Sequence, residues 1–339
     1  MMRTQPKREV EVKQINVVIT MDCEPITTGT HSAATGPDSW ALGERATAGY
    51  AEIARSFGFP VTYFIHPETA LAQPDVFHGL ARDGACLGLH MHPWKYSMSR
   101  HGGLKYREHY GGLSENEQRE LLSEAAALWR EGMGYRPVYF RPGTFSGNDS
   151  VFKVLVELGF RGGSCSLPGR NMPEFRAAWV GTDPDPHRGH RTYRLLAGDL
   201  DFAEMPLSTD FSLAFDGRIG GKLHPDLRPD TDWMALYQLT YSRIARNIVE
   251  QVMARSPDVP VINLVSHNHF DYRDPAKPAT VRFRQALEAI HEACDAVGVR
   301  AVGSTMAAVC DDVLSRPPKT EGRVCEGTVY GPPGKVAVL

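Results

Sequence analysis

Five places in the sequence put metal-ligating or proton-carrying side chains just beyond short apolar runs. Asp22 and Glu24 follow INVVIT, His66 follows VTYFI, His90 and His92 follow CLGL, Arg141 follows VYF, and His267 and His269 follow INLVS. In parallel α/β architectures the active site lies beyond the carboxyl ends of the strands, so these are the residues to weigh first. Two carboxylates, several imidazoles and an arginine meeting at one rim suit a divalent metal ion and an acid–base pair. Zinc or a similar ion is expected, because mixed nitrogen and oxygen ligands with one open position polarise a carbonyl and acidify bound water. Side chains i and i+2 of a strand point the same way. His90 and His92 of GLHMHPW are therefore expected on one side, and likewise Asp22 and Glu24.

Each residue also has a plainer reading. A carboxylate at a strand end often caps a helix or joins a salt bridge, and His66 suits a hydrogen-bonded structural histidine. Two neighbouring imidazoles desolvated together, however, need a partner. His187 and His190, in HRGHR, are expected in solvent or against substrate, whereas His101 and His109 stand in no supporting pattern.

The elements that must position these residues alternate between strand and helix. INVVIT (15–20), PVTYFI (60–65), CLGLH (86–90), PVYFR (137–141), FRGGSCS (160–166), FAEMPLS (202–208), VINLVS (261–266) and RAVGS (300–304) read as strands. Helical patterns fall within 40–57, near 74–82, from Ser114 to about Gly132, over VFKVLVEL, and over 232–254, 279–297 and 304–314. Such alternation predicts parallel βα units. Ser114 followed by Glu117 and Gln118 has the form of a capping box, Asn148 or Asp149 is placed to cap VFKVLVEL, and Gly159 suits that helix's C-terminal end. Residues 166–200, rich in Pro, Gly, Arg and His, have little periodicity and are expected to form a long excursion. Seven or eight strands favour a barrel over an open sheet. The expected organisation is an N-terminal tail (1–12), one barrel (13–315) and a proline-containing C-terminal tail (316–339).

The bulk properties narrow the function. A formal net charge of -3 in 339 residues argues against nucleic acid or an anionic membrane as partner. No apolar run of about 18 residues is present to span a bilayer, and the charged start MMRTQPKREVEVKQ is unlike a signal peptide, so a cytoplasmic protein is expected. Six cysteines without a CxxC pair read as reduced thiols packed in the core.

Taken in order, TMDCE (20–24), GLHMHP (88–93), FRPGTF (140–145) and LVSH (264–267) resemble the motifs of the polysaccharide deacetylase family, also called the NodB-homology or carbohydrate esterase family four proteins. The resemblance spans roughly residues 14–310. It implies a distorted (β/α)7 barrel, a divalent metal, and hydrolysis of an N-acetyl group from an amino sugar. By position, Asp22 resembles the family's general base, Glu24 its acidic metal ligand, and His90 and His92 its imidazole ligands. Arg141 resembles the arginine that keeps the base ionised, and the backbone N–H of Thr144 resembles an oxyanion donor. His267 resembles the histidine that protonates the leaving amine. His66, Trp94 and His269 are expected near substrate. Trp179, Arg188 and Arg191, beside Trp94 and Tyr96, are further candidates for a sugar or phosphate groove.

Three departures from the usual pattern mark a divergent branch. Cys23 separates the acids of the first motif, Trp94 stands four residues after His90 where a second histidine is usual, and GSCS (163–166) offers no acid after the fifth strand. The expected activity is hydrolysis of a C–N amide bond in an N-acetylated sugar or glycan precursor. Hydrolysis of a cyclic amide or ureide, as in allantoinase-like relatives, and carbohydrate binding without catalysis are the competing expectations; the oligomeric state is left open.

Overall fold

The computed structural model describes residues 13–26, 36–216 and 221–318. The expected N-terminal tail and residues 319–339 of the expected C-terminal tail lie outside the described residues. Eight strands form the principal sheet along one path: β1 (Gln14–Cys23), β2 (Val61–Ile65), β3 (Cys86–Met91), β4 (Tyr139–Pro142), β5 (Gly162–Gly163), β6 (His187–Arg188), β7 (Ala203–Glu204) and β8 (Val261–His267), with β9 (Arg300–Gly303) pairing on β1 off that path. Their order is β8-β1-β2-β3-β4-β5-β7-β6. The seven strands from β8 to β7 run parallel, and β6 closes the edge antiparallel. This is a distorted (β/α)7 barrel.

Ten helices accompany the strands among the described residues: α1 (Trp40–Ser56), α2 (Pro67–Ala72), α3 (Pro74–Arg82), α4 (Pro93–His101), α5 (Glu115–Met133), α6 (Val151–Glu157), α7 (Trp233–Tyr237), α8 (Tyr241–Arg255), α9 (Pro278–Ala296) and α10 (Met306–Ser315). The α5 cap forms as the sequence predicts: Ser114 accepts from the Glu117 N–H, the Glu117 side chain accepts from the Ser114 N–H, and Gly134 ends the helix with a left-handed φ of 79°. Aromatic packing carries this order toward the site. Tyr50 of α1 stacks on Phe283 of α9 at 4.0 Å, and its hydroxyl donates to the Thr20 carbonyl of β1 at 3.2 Å. Each such buried ring contributes roughly 1.5–3 kcal/mol through burial alone.

Three expectations about elements need correction. The single helix expected over 232–254 is two, because Gln238 takes a left-handed φ of 55° and Thr240 then caps α8 by accepting from the Arg243 N–H. Of the expected strand 160–166 only Gly162–Gly163 pairs; Cys165 and Ser166 turn instead to donate their N–H groups to the Glu204 carboxylate. The helix over VFKVLVEL starts after Ser150, which makes no side-chain cap, while Asn148 accepts from the Ser150 N–H.

The excursion 166–200 is well buried in places. It contributes two short strands, Asn171–Met172 and Ala177–Ala178, to a small antiparallel sheet with Phe215–Asp216 and Lys222–Leu223. Trp179 is fully buried and donates its indole N–H to the Phe145 carbonyl at 2.6 Å, so it braces a turn and lines no groove. His187 is buried too, bonded to the Asp185 carbonyl at 2.8 Å, which corrects its expected exposure. The five described cysteines, at 23, 86, 165, 294 and 310, are free. Among the described residues no helix is long and apolar enough to cross a membrane.

Candidate active site

The site grows from the carboxyl end of β1. Thr20, Asp22 and Glu24 project to one side at two-residue intervals, and all three are buried. Arg141, from the end of β4, is fully enclosed and donates from Nη1 to Thr20 Oγ1 (2.7 Å) and Asp22 Oδ1 (2.9 Å). Its Nη2 reaches Ser164 Oγ at 2.9 Å, and its plane lies 4.2 Å from the Phe64 ring centroid. A guanidinium fixed on four sides holds one carboxylate oxygen of Asp22 in place. Ser164 occupies the stretch where the usual acid is missing, and there it serves as an acceptor for this arginine.

Glu24, two residues further, is wholly buried. Its Oε1 is 2.8 Å from His92 Nε2 and 3.1 Å from His90 Nε2, and its Oε2 accepts from Lys95 Nζ at 3.0 Å. Burial works against the charged carboxylate, but His92, Lys95 and His90 together outweigh it and hold the group well below the usual carboxylate range. The backbone of Glu24 is clamped by Asn268, whose Oδ1 accepts from the Glu24 N–H (2.9 Å) and whose Nδ2 donates to the Glu24 carbonyl (3.0 Å). His90 and His92, i and i+2, thus reach the same oxygen.

The donor chemistry of this trio fits a metal ion. The ligand atoms of Glu24, His90 and His92 lie within 4.8 Å of one another. His90 Nδ1 sits 3.1 Å from the Arg141 carbonyl, which can only accept, so that nitrogen carries the proton. In the neutral ring Nε2 is then a bare lone pair facing a carboxylate oxygen, an arrangement that a shared cation makes favourable. His92 is equally confined: a Cβ on Gly143 would come within 2.2 Å of its Nδ1, so only glycine lets the ring lie against this backbone.

Across the rim, β8 lies beside β1 with Asp22 and His267 directly paired in register. His267 Nδ1 meets Asp230 Oδ2 at 2.5 Å. Burial disfavours the imidazolium, yet the Asp230 carboxylate, its hydrogen bond and the charges of Asp22 and Glu24 prevail and raise the pKa above its ordinary value. Burial would likewise push Asp230 up, but His267 and Arg228 bring it down to about 2. Between the two halves, Thr144 and Phe145 both take left-handed backbone conformations, with φ of 57° and 54°. Such a geometry is costly in non-glycine residues and is held here by Arg170, which donates to the Thr144 carbonyl at 3.0 Å, and by Trp179 on Phe145.

The remaining sequence candidates fall around this centre. His66 is fully enclosed, and neither ring nitrogen has a hydrogen bond, so it is neither the hydrogen-bonded histidine expected nor open to substrate in this conformation. Its burial pushes the imidazole pKa well down. The His269 ring lies tilted against Phe270 at 3.9 Å and stands 5.7 Å from His267; burial and the charge of His267 lower it to about 4. Trp94 is 6.3 Å from the His92 ring. Lys95, Asn268, Ser164 and Asp230 are participants that the strand-end filter misses. Lys95 was within reach of it, being two residues past Pro93 in the first turn of α4, whereas Asp230 sits in the loop PDTDW with no periodic frame.

A solved structure from Mycobacterium smegmatis assigned as a polysaccharide deacetylase superposes on this chain with a TM-score of 0.52, at 19% identity over 91% of this chain and 95% of that one. The fold is that of the polysaccharide deacetylases. The Puue allantoinase structure has the same TM-score of 0.52, at 12% identity over 90% of this chain and 93% of that one. A Pseudomonas aeruginosa PAO1 structure, also assigned as a polysaccharide deacetylase, gives 0.50, at 12% identity over 88% and 91%. No family model and no curated protein matches the sequence. The polysaccharide deacetylase-like fold therefore accounts for the barrel, and the chemistry must be argued from the side chains.

Proposed function

We propose that this chain is a metal-dependent hydrolase of C–N amide bonds that removes the acetyl group from an N-acetylated sugar or glycan precursor. The observation that carries this reading is the pairing of Asp22 with His267 across β1 and β8, beside the Glu24–His90–His92 trio. A zinc-sized ion held by that trio would supply Lewis acidity toward the substrate carbonyl and toward water. With Lys95 occupying the second oxygen of Glu24, the carboxylate offers one donor atom, which gives two nitrogens and one oxygen and suits zinc better than a calcium-type oxygen cage.

The chain's own groups divide the proton work. Asp22, held in place by Arg141, accepts a proton from water as it attacks the acyl carbon. The Thr144 N–H stands by the strained turn as donor to the developing oxyanion. His267, kept protonated by Asp230, delivers a proton to the departing amine, without which an amide anion would have to leave. Trp94 and His269 contact the sugar in this reading.

Elemental analysis together with acetate release from N-acetylated sugars tests the proposal. We expect bound divalent metal and turnover that is lost in Asp22→Ala and His267→Ala. Metal-free protein with amidase activity indifferent to both substitutions overturns it, and sugar binding without turnover points to a non-catalytic role. The equal likeness to an allantoinase supports a second reading, hydrolysis of a cyclic amide, so hydantoin-like compounds belong in the same assay.

A further inference from the structure

A cavity of about 550 Å³ opens beside His267, with Asp230 in its wall. Its volume is that of an ordinary small-ligand site. Trp233 and Tyr237 form an aromatic wall, both stacked against Phe215. Two polar atoms in lining residues, Trp233 Nε1 and Asp230 Oδ1, have no hydrogen-bond partner.

The charges of this cavity do not balance. Asp226 is chelated by Arg228, with Nε at 2.8 and 2.9 Å from its two oxygens and Nη2 at 2.6 Å. Asp230 is taken by His267, and Asp232 faces Arg282 at 3.8 Å while also accepting from the Ala235 N–H. Every lining carboxylate among the described residues thus has a cation. Arg170 remains. Among the described residues its guanidinium makes one hydrogen bond, to the Thr144 carbonyl, its plane lies over Phe175 at 5.5 Å, and no carboxylate is within ion-pair distance. Burial and the neighbouring Arg228 charge press its pKa down to about 10, outweighing the pull of Asp226 and Glu174. A half-buried guanidinium repelled by a second one is stabilised by an anion, which its planar fork binds in two-point fashion.

We propose that the substrate of this site carries an anionic group, a carboxylate or a phosphate on the sugar, that Arg170 receives in this cavity. The inference rests on the sugar-amide reading above. Because Arg170 is tied to the Thr144 turn, an anion seated on it anchors the substrate beside the turn and next to His267. The aromatic wall of Trp233 and Tyr237 takes the apolar face of the sugar ring.

Calorimetric binding of glucose, glucuronate and glucose 6-phosphate to the wild type, Arg170→Met and Arg170→Lys tests this without requiring catalysis. The wild type is expected to bind one or both anionic sugars at least about tenfold more tightly than glucose. Whichever is preferred distinguishes carboxylate from phosphate. R170M abolishes the preference and R170K keeps part of it. A merely structural role for Arg170 would weaken all three sugars alike and leave their ratio unmoved. Equal binding of neutral and anionic sugars, or a preference that survives in R170M, overturns the proposal. The two readings fail separately: an Arg170-dependent preference with no acetate released from any N-acetylated sugar defeats the deacetylase reading alone. Release that is no faster from carboxylate- or phosphate-bearing sugar acetamides than from neutral ones defeats the anionic substrate.

Discussion

The two halves of the candidate site are built by different means. Asp22, Glu24, His90, His92 and Arg141 sit on or next to β1, β3 and β4, nearly closed off from solvent, and each is held by neighbours on adjacent parallel strands. Asp230, Arg170, Arg228 and the aromatic wall come from loops and from the short helix α7, and they border an open cavity. The first half is one rigid charge network inseparable from the barrel. The second is assembled from aperiodic segments, among them the loop that brings Asp230 to His267. On the proposed reading, the chemistry belongs to the strands and the choice of substrate to the loops.

That contrast can be broken experimentally. The largest effect is expected in the strand-built half, where Asp22→Asn removes the proposed base and lowers kcat by about 10²–10⁴-fold; steady-state kinetics on the best acetamide measures it, and a loss under tenfold would deprive Asp22 of its role. Next, Arg141→Met leaves Asp22 buried without its counter-charge and is expected to cost about 3–5 kcal/mol in denaturant unfolding, as for other broken buried pairs. Gly143→Ala forces His92 aside and should weaken metal binding by roughly 10–100-fold in a chelator competition, because ligand orientation is lost while all three donors remain. Unchanged metal affinity would show that His92 does not ligate.

The smallest change belongs to the loop-built half. Asp230 raises the pKa of His267, whose protonated form is the proposed acid, so activity falls as pH rises through that raised pKa. Asp230→Asn removes the carboxylate, the pKa drops, and the alkaline limb of the kcat profile should move to lower pH. A limb that stays in place separates Asp230 from the proton chemistry.

The strand-built half was legible in the sequence for a physical reason. Apolar runs mark strands, their ends mark the rim, and two-residue alternation puts Asp22 with Glu24 and His90 with His92. Nothing comparable marks the other half. Asp230 is one of several acids in an aperiodic loop, and only the fold reveals which of them meets His267. The break between α7 and α8 was hidden because YQLTYS contains neither glycine nor proline, yet Gln238 turns left-handed. Lys95 stands outside the two-residue alternation of the strand, yet its ammonium closes the second oxygen of Glu24. His187 and Trp179 were misjudged because a loop rich in Pro, Gly and Arg still buries its few large rings.

The register that sets Asp22 beside His267 also orders events in time. β1 leaves the ribosome early but finds β8 only some 240 residues later, since Asn16 pairs with Val261 and Asp22 with His267. Contacts of such sequence separation are slow to form because the intervening chain must be closed first. A nascent chain holding β1 to β4 already has Glu24, His90, His92 and Arg141, yet it lacks the opposite wall and the proton donor. The residues proposed for hydrolysis therefore come together only when β8 closes on β1, all at once.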